Sequence, residues 1–502
     1  MTEDKTKRKE PLRLSGWDFA TWRSAVSDPT MRSTIMAVMV LEKAPNWKRL
    51  QERYERASRL LPVMRQKVVE GPVAIANPRL VIDPNFDLNL HLVRMRMPAG
   101  STWGDVLAEA RKQSLTDFDR NRPLWQVTVL EGLPGGKAAV LTKLHHALVD
   151  GQGALQIGAA IADLTPEGAD LGPMPPVPEP EQLHSREFAE TMVRDDANWL
   201  VDTARDMVQG AVPLAKELLT EPKETINSLL GMVASAARML QAPFEPLSPI
   251  MVNRSYNYHF ETFDLPFDDL RTAAKSQGYT VNDAFMAAVA FGMGRYHKLA
   301  GSPVDRLNAN MPISLRKPGQ VGQNAVSIAH FALPTAVADP AELMGRISKI
   351  VKKWRAEPAL SLTNQIGEIS RFVPGEMVSA AARASDVTAS NVPGAPIPIY
   401  LAGARVESMY PLPPTIGAAV FVALLSYDGA AEIGLAIDDA AVPDPDVMKR
   451  CMKYGFERVI GKPLPSDDPL ALTEEEKAPA KKAPVKKTAA RRKAPTKKAP
   501  AS

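Results

Sequence analysis

At 502 residues the chain exceeds what one hydrophobic core sustains, so two domains with additions are expected. Hydrophobic residues at 45% and charged residues at 24% are ordinary for a globular protein, whereas 44 prolines are nearly twice average usage and mark turns and linkers. The single cysteine, Cys451, excludes an intramolecular disulfide, argues against a cysteine-based metal site and fits a reducing cytoplasm.

The first residues, MTEDKTKRKEPLRLSG, are charged and lack the apolar stretch of a signal peptide. No uninterrupted apolar run reaches the ~18 residues of a membrane span. The longest, IGAAVFVALLSY at 416–427, stops at Asp428-Gly429 and resumes as AEIGLAI, which reads as two strands about a turn. Membrane contact is therefore expected to be peripheral. The net charge of +4 hides an asymmetry: residues 477–502 carry ten Lys or Arg and no acid, which leaves a body of −6.

In chain order, WKRLQERYERASRLLP (47–62) predicts a surface helix with one buried stripe. DLNLHLVRMRM (87–97) and AAVLTKLHH (138–146) alternate like strands, and GALQIGAAIADL (153–164) reads as a helix. Five prolines between Pro173 and Pro180 predict a stiff linker. A helical stretch from about Ser185 to Leu240 follows, broken near Pro213 and Pro222. Its last section, from Ile226 to Leu240, has an apolar stripe that suits packing between two domains, or alternatively a membrane interface. A second α/β region spans about Tyr256 to Lys462. Within it, 281–300 reads as a buried helix capped by Asn282 or Asp283, and 444–460 as another helix. The expected organisation is thus a first lobe at 1–172, a Pro-rich and helical linker at 173–250, a second lobe at 251–465, and a tail at 466–502. The tail is a Lys, Ala and Pro near-repeat that cannot form a core and is expected to be disordered.

Chemistry concentrates in KLHHALVDGQG (143–153). Successive side chains of a strand point to opposite faces, so only one of His145 and His146 faces a given cavity while the other packs or orients the turn. Gly151 suits a sharp reversal. Asp150 either braces the loop through a buried ion pair or caps the following helix. Imidazole is a natural base for an alcohol near neutral pH. Against a metal half-site, the chain has seven histidines and neither an HxxxH nor an HExxH pattern. On spacing alone, a structural role for the pair fits as well as a catalytic one.

HHALVDG matches the HHxxxDG motif of acyl-CoA-dependent acyltransferases with the chloramphenicol-acetyltransferase-like fold. DFDRNRPLW (117–125), TVND (280–283), MPISLR (311–316), GQNAVS (322–327) and SNVPGAP (390–396) follow in the order seen in one branch. Over roughly residues 12 to 462 the chain therefore resembles the bacterial wax ester synthase/diacylglycerol acyltransferase family. It departs from that pattern at LSGWDFATW (14–22), where Trp17 precedes the aspartate of an LSPxDxxF-type element, and at Ala395-Pro396 after NVPG.

The resemblance implies two related α/β lobes with a channel between them and His146 at its middle. Acyl-CoA, a substrate and not a cofactor, would enter from one side and the lipid alcohol from the other. His146 would act as general base in a direct transfer without an acyl-enzyme, and neither a GxSxG elbow nor an activated cysteine is evident. His145, Asp150 and Gly151 would shape the catalytic turn. Asn282 and Asp283 would shape the site from the second lobe, a role compatible with a helix cap. Trp125 of PLW is expected in the core, and Ser390 and Asn391 are left unassigned near the channel. Acceptors would be diacylglycerol or a long-chain alcohol, at a cytoplasmic location peripheral to a membrane or lipid droplet. The basic tail would serve as a solvated extension or bind anionic lipid, and less readily nucleic acid, since it has no aromatics for stacking. Alternatives are acylation of a complex lipid diol or polyketide alcohol, and a non-catalytic lipid-surface protein of the same fold.

Overall fold

The computed structural model describes residues 13–14, 16–71, 77–148, 151–180, 186, 188–198, 201, 205, 245–314, 326–356, 375–465 and 468–470. The expected apolar helix at 226–240 and the basic tail at 477–502 lie outside these residues. The first half supplies α1 (Gly16–Ser27), β1 (Thr34–Leu41), α2 (Trp47–Leu60), β2 (Gln66–Val69), β3 (Arg79–Ile82), β4 (Leu92–Arg96), α3 (Trp103–Leu115), β5 (Trp125–Glu131), β6 (Ala138–His145) and α4 (Gly151–Ile161). The second supplies β7 (Tyr258–Pro266), α5 (Phe267–Ser276), α6 (Val281–Leu299), β8 (Arg306–Ser314), β9 (Val326–Pro334), α7 (Pro340–Arg355) and α8 (Gly375–Arg383). It continues with β10 (Val387–Pro393), β11 (Tyr400–Leu401), β12 (Ala404–Leu412), β13 (Val420–Tyr427), β14 (Ala430–Asp438) and α9 (Pro445–Ile460).

Two six-stranded sheets result, ordered β11-β12-β1-β6-β5-β4 and β7-β14-β13-β10-β8-β9. Their composition differs from a simple division at residue 251. β11 and β12, expected in the second lobe, leave it and complete the sheet of the first, with β12 antiparallel to β1 from Met36↔Leu412 to Leu41↔Val406. β14 crosses closely beneath β12, because Gly434 has no side chain there: a Cβ would collide with the Pro411 carbonyl. The chain then returns, and β13 and β14 close a two-residue hairpin whose Asp428 (φ 41°) and Gly429 (φ 85°) both take left-handed angles.

Other expectations shift for local reasons. Residues 88–90 form a turn of 3₁₀ helix and only 92–96 are extended, because the Asp87 carboxylate accepts the Asn89 N–H at 2.9 Å and folds the chain on itself. The helix of 47–62 ends at Leu60, before Pro62, and the one sought at 153–164 runs from Gly151 to Ile161.

Arginines of α2 are not simply a solvated face. Arg49 and Arg53 pair with buried Asp163 just after α4, and Arg49 also donates to the Pro166 carbonyl at 2.6 Å. Arg56 donates to the carbonyls of Gly172 and Pro173, and Arg59 to that of Pro175 at 2.8 Å. The start of the Pro-rich segment is thereby laid along one helix. Proline offers carbonyls but no donors, which matches it to a ladder of guanidinium groups.

The second lobe is built around α6, whose residues from Asp283 to Met293 are all buried. Small residues on both helices let α6 and α9 pack close: a Cβ on Gly455 of α9 would strike the Ala288 carbonyl, and one on Gly292 of α6 would crowd the Met452 backbone. Helix α3 joins the lobes. Trp103 donates to the Thr262 hydroxyl at 2.7 Å, and Arg111 reaches the Tyr258 carbonyl at 2.6 Å and Asp439 at 2.8 Å. Met36, Val38 and Tyr410 share one apolar cluster with Phe260, Phe421 and Ala436. Replacing Gly434 by valine should force β12 off β14 and destabilise the protein by about 2–3 kcal/mol, the scale of overpacking a core. Urea unfolding midpoints of the two forms measure this.

Candidate active site

The candidate site forms where β6 ends. Thr34 of β1 pairs with His145, the last residue of the strand, and the chain turns at once. The His146 N–H donates to the Ser33 carbonyl at 2.8 Å, and the Leu148 N–H to the His145 carbonyl at 3.0 Å. The backbone on both sides of His146 is thus fixed before any side chain is considered.

The two histidines separate as the alternation argument requires. His145 is 4% exposed, edge-on to Trp22 with ring centroids 5.3 Å apart and to Phe118 at 6.0 Å. Its Nδ1 accepts the Ala147 N–H at 3.1 Å, so the ring proton resides on Nε2. Burial, reinforced by neighbouring His146, pushes its pKa down to about 3. His145 is a neutral bracket for the turn. His146 has a side chain 36% exposed, with Nδ1 4.0 Å from Oδ1 of Asp18 in the first turn of α1.

Residues around the pair are held by cation and aromatic contacts. The Lys143 ammonium lies 4.2 Å from the Phe118 ring centre and donates to the Thr116 carbonyl at 2.7 Å. Burial brings its pKa down to about 8, against the pull of Asp117. The Arg120 guanidinium covers the face of Trp22 at 4.2 Å. Trp125 of the PLW element is in the core, stacked on His91 at 4.5 Å and on Tyr54 at 5.8 Å, with its indole N–H on the Met64 carbonyl at 2.7 Å.

In the second lobe, the cap of α6 is Thr280 and not Asn282 or Asp283. Thr280 and Asp283 form a reciprocal capping box, in which the Asp283 carboxylate accepts the Thr280 N–H at 2.9 Å and hydroxyl at 2.7 Å. The T-x-x-D spacing of 280–283 carries that signal in the sequence. Asp283 is buried in this role, while Asn282 donates to the Met311 sulfur at 3.4 Å. Ser390 and Asn391 lie half-buried on β10 beside Ala423 and Leu424 of β13. Gly151 opens α4, and Asp150 lies outside the described residues. Cys451 is buried in α9, where burial raises its thiol pKa. Asp18 was not singled out from the sequence, although it is the aspartate of LSGWDFATW. Its spacing from Trp22, one helical turn, puts the two on one helix face without saying what that face meets.

Residues 14–285 match the model of the wax ester synthase/diacylglycerol acyltransferase catalytic domain, and residues 322–459 that of the family's C-terminal domain. The chain belongs to the wax ester synthase/diacylglycerol acyltransferase family. It is 34% identical over 446 residues to a Mycobacterium tuberculosis protein named as a diacylglycerol O-acyltransferase, across 88% of this chain and 90% of that protein. A similarly named Mycobacterium bovis protein is 29% identical over 410 residues, across 78% and 86% of the two chains. Among solved structures, the wax ester synthase/diacylglycerol acyltransferase of Marinobacter aquaeolei superimposes with a TM-score of 0.57 at 19% identity, covering 89% of this chain and 98% of that one. The starter condensation domain of rhizomide synthetase, solved with C8-CoA, gives 0.56 at 13% identity, covering 92% and 96%. At these identities the likeness establishes the shared two-lobed acyltransferase fold, the one implied by the HHxxxDG motif.

The low pKa of His145 has a consequence for stability. An unfolded histidine titrates near 6.5, so below that pH the unfolded chain takes up a proton that folded His145 refuses until about pH 3. Its contribution therefore falls as pH drops through that window. Relative to wild type, His145→Gln should be less stable at neutral pH but lose stability less steeply between pH 6.5 and 4.5. The slopes should differ by up to about 1.4 kcal/mol per pH unit, read from urea midpoints across the range.

Proposed function

We propose that His146 is the general base for the direct transfer of a long-chain acyl group from acyl-CoA to the hydroxyl of a lipid alcohol. Acyl-CoA-dependent acylation of lipid alcohols is the activity of the family to which the chain belongs. Diacylglycerol is the first acceptor to test, since relatives similar over most of their length carry that name, and a long-chain alcohol is the second. The observation that carries the assignment to His146 is the division of labour at the end of β6. His145 is buried and neutral, whereas His146 presents a half-exposed imidazole from a backbone fixed on both sides.

The chemistry balances with His146 alone as proton carrier. Its imidazole takes the hydroxyl proton as the oxygen bonds to the thioester carbonyl carbon. The carbon–sulfur bond then breaks, and the proton passes to the departing thiolate to give CoA and the ester. No nucleophile on the protein and no cofactor beyond the acyl-CoA substrate enters this scheme. The buried Cys451, with its raised thiol pKa, is a poor source of thiolate. Asp150 we assign to orienting the turn, and Asn282 to the second-lobe side of the site, where its amide is close to β8.

His146→Ala should lower ester formation by about 100- to 10,000-fold, the usual worth of a general base, with melting temperature little changed. Labelled palmitoyl-CoA with diacylglycerol or hexadecanol, resolved by thin-layer chromatography, reads this out. Wild-type turnover in His146→Ala would refute the assignment.

Among the described residues no helix is long and apolar enough to cross a membrane. We place the enzyme at the cytoplasmic face of an anionic membrane or lipid droplet through residues 477–502, on the strength of their ten basic residues and no acids. Removing 477–502 should leave turnover on detergent-dispersed substrate unchanged and weaken co-sedimentation with anionic vesicles, with no effect on neutral ones. High salt should abolish the difference, because each basic residue near such a surface contributes about 1 kcal/mol that ions screen. Equal binding by both forms at low salt would return the tail to a solvated role.

A further inference from the structure

Helix α1 carries more than packing. Asp18 and Trp22 are one turn apart and so lie on one face of it. That face meets the end of β6 in register: Trp22 stands edge-on to His145 at 5.3 Å, and the Asp18 carboxylate lies 4.0 Å from Nδ1 of His146. Three contacts fix this face. The Trp22 indole donates to Glu70 at 2.8 Å, Arg120 covers its ring, and Phe19 and Trp22 pack in one apolar cluster with Leu124 and Ala147. The far end of α1 touches the other lobe, where Asp28 accepts from Arg383 at 2.7 Å and Gly375 approaches Ser24 and Ser27. The helix therefore spans both lobes with one carboxylate directed at the half-exposed histidine, and that carboxylate has a side chain only 11% exposed.

We propose that Asp18 is a positioning residue for His146: its carboxylate accepts the imidazole Nδ1–H during the reaction and leaves Nε2 as the basic atom. This rests on the reading of His146 as the base. A carboxylate can only accept from a ring N–H, so it selects one tautomer and one ring orientation. The separation of 4.0 Å exceeds a hydrogen bond. Catalytic contacts commonly tighten when substrate binds, and a helix contacting both lobes is placed to follow such tightening. An amide at position 18 lacks the carboxylate's charge and can donate its NH₂ to Nδ1 as well as accept from it, so it no longer selects the Nδ1–H tautomer and lets the proton move to Nε2, where it blocks the base.

The test uses full-length Asp18→Asn, Asp18→Glu, His146→Ala and the Asp18→Asn/His146→Ala double variant. Asp18→Asn should lower kcat about 100-fold, the cost of a misplacement near 1 Å at a reacting group, with KM for acyl-CoA little changed. Asp18→Glu should recover part of the loss. In the His146→Ala background Asp18→Asn should cost nothing further, since the residue acts only through His146. Nitrogen-15 spectra of the neutral histidine rings, with His146 identified by its absence in His146→Ala, should show Nδ1–H in wild type and a rise of the Nε2–H tautomer in Asp18→Asn. Activity lost only in step with melting temperature, with an unchanged tautomer, would make Asp18 a mere helix cap and overturn the proposal. Should Asp18→Asn fail to fold, the wild-type spectrum decides alone: an Nε2–H tautomer at His146 overturns it. If His146→Ala is inactive while Asp18→Asn turns over normally, only the Asp18 assignment falls. If His146→Ala is active, the base reading falls and takes this one with it.

Discussion

Strand β1 is hydrogen-bonded along both edges, to β6 from its own lobe and to β12 from the other. Its register therefore fixes two things at once. Pairing Thr34 with His145 sets which histidine enters the core and which leaves it, and pairing Met36 with Leu412 sets how the second lobe is tied to the first. A slip of one residue would exchange the faces of every side chain on the strand and turn the histidine pair away from α1. Buried Met36, Val38 and Val40 on one face of β1 make such a slip costly.

Around that strand, polar groups are spent on position. His145 is neutral and accepts a backbone N–H, Lys143 holds the Thr116 carbonyl, and Asp283 closes a helix cap. Each of these three side chains has a defined partner, which is what a buried polar group requires to be tolerated. The imidazole of His146 is different, since its side chain keeps 36% of its surface exposed.

The parts of this arrangement legible in the sequence are those encoded locally. The Asp428-Gly429 turn, the alternation of 138–146 and the apolar run of α6 each specify their own conformation within a few residues. The histidine pair at a strand end also announced its divergence. Asp18 did not, because nothing within LSGWDFATW says that its helix will lie against residue 146. The transfer of β12 was equally silent: ARVESMYPL alternates as any antiparallel strand would, and pattern fixes the faces of a strand without fixing its neighbours. The cap of α6 lay in between. Its T-x-x-D signature is local, but Asn282 and Asp283 are cap-forming residue types too, so residue type alone leaves the first residue of the helix open.

The arginine ladder of α2 has a further implication for how this protein can vary. Arg56 and Arg59, and Arg49 beyond its pairing with Asp163, hold the start of the Pro-rich segment by main-chain oxygens. Every residue type has such an oxygen, so substitutions along 166–175 should be nearly invisible to the grip, except at Gly172, whose φ of 65° disfavours a side chain, and at Gly168, where φ is 75° and a Cβ would strike the Arg49 guanidinium. Insertions and deletions are another matter, since the guanidinium groups are spaced by the helix and the carbonyls by a chain that bends through turns at Gly168 and Gly172. Drift at these positions is thus free in spelling and constrained in length, the reverse of what is usual for a surface connection.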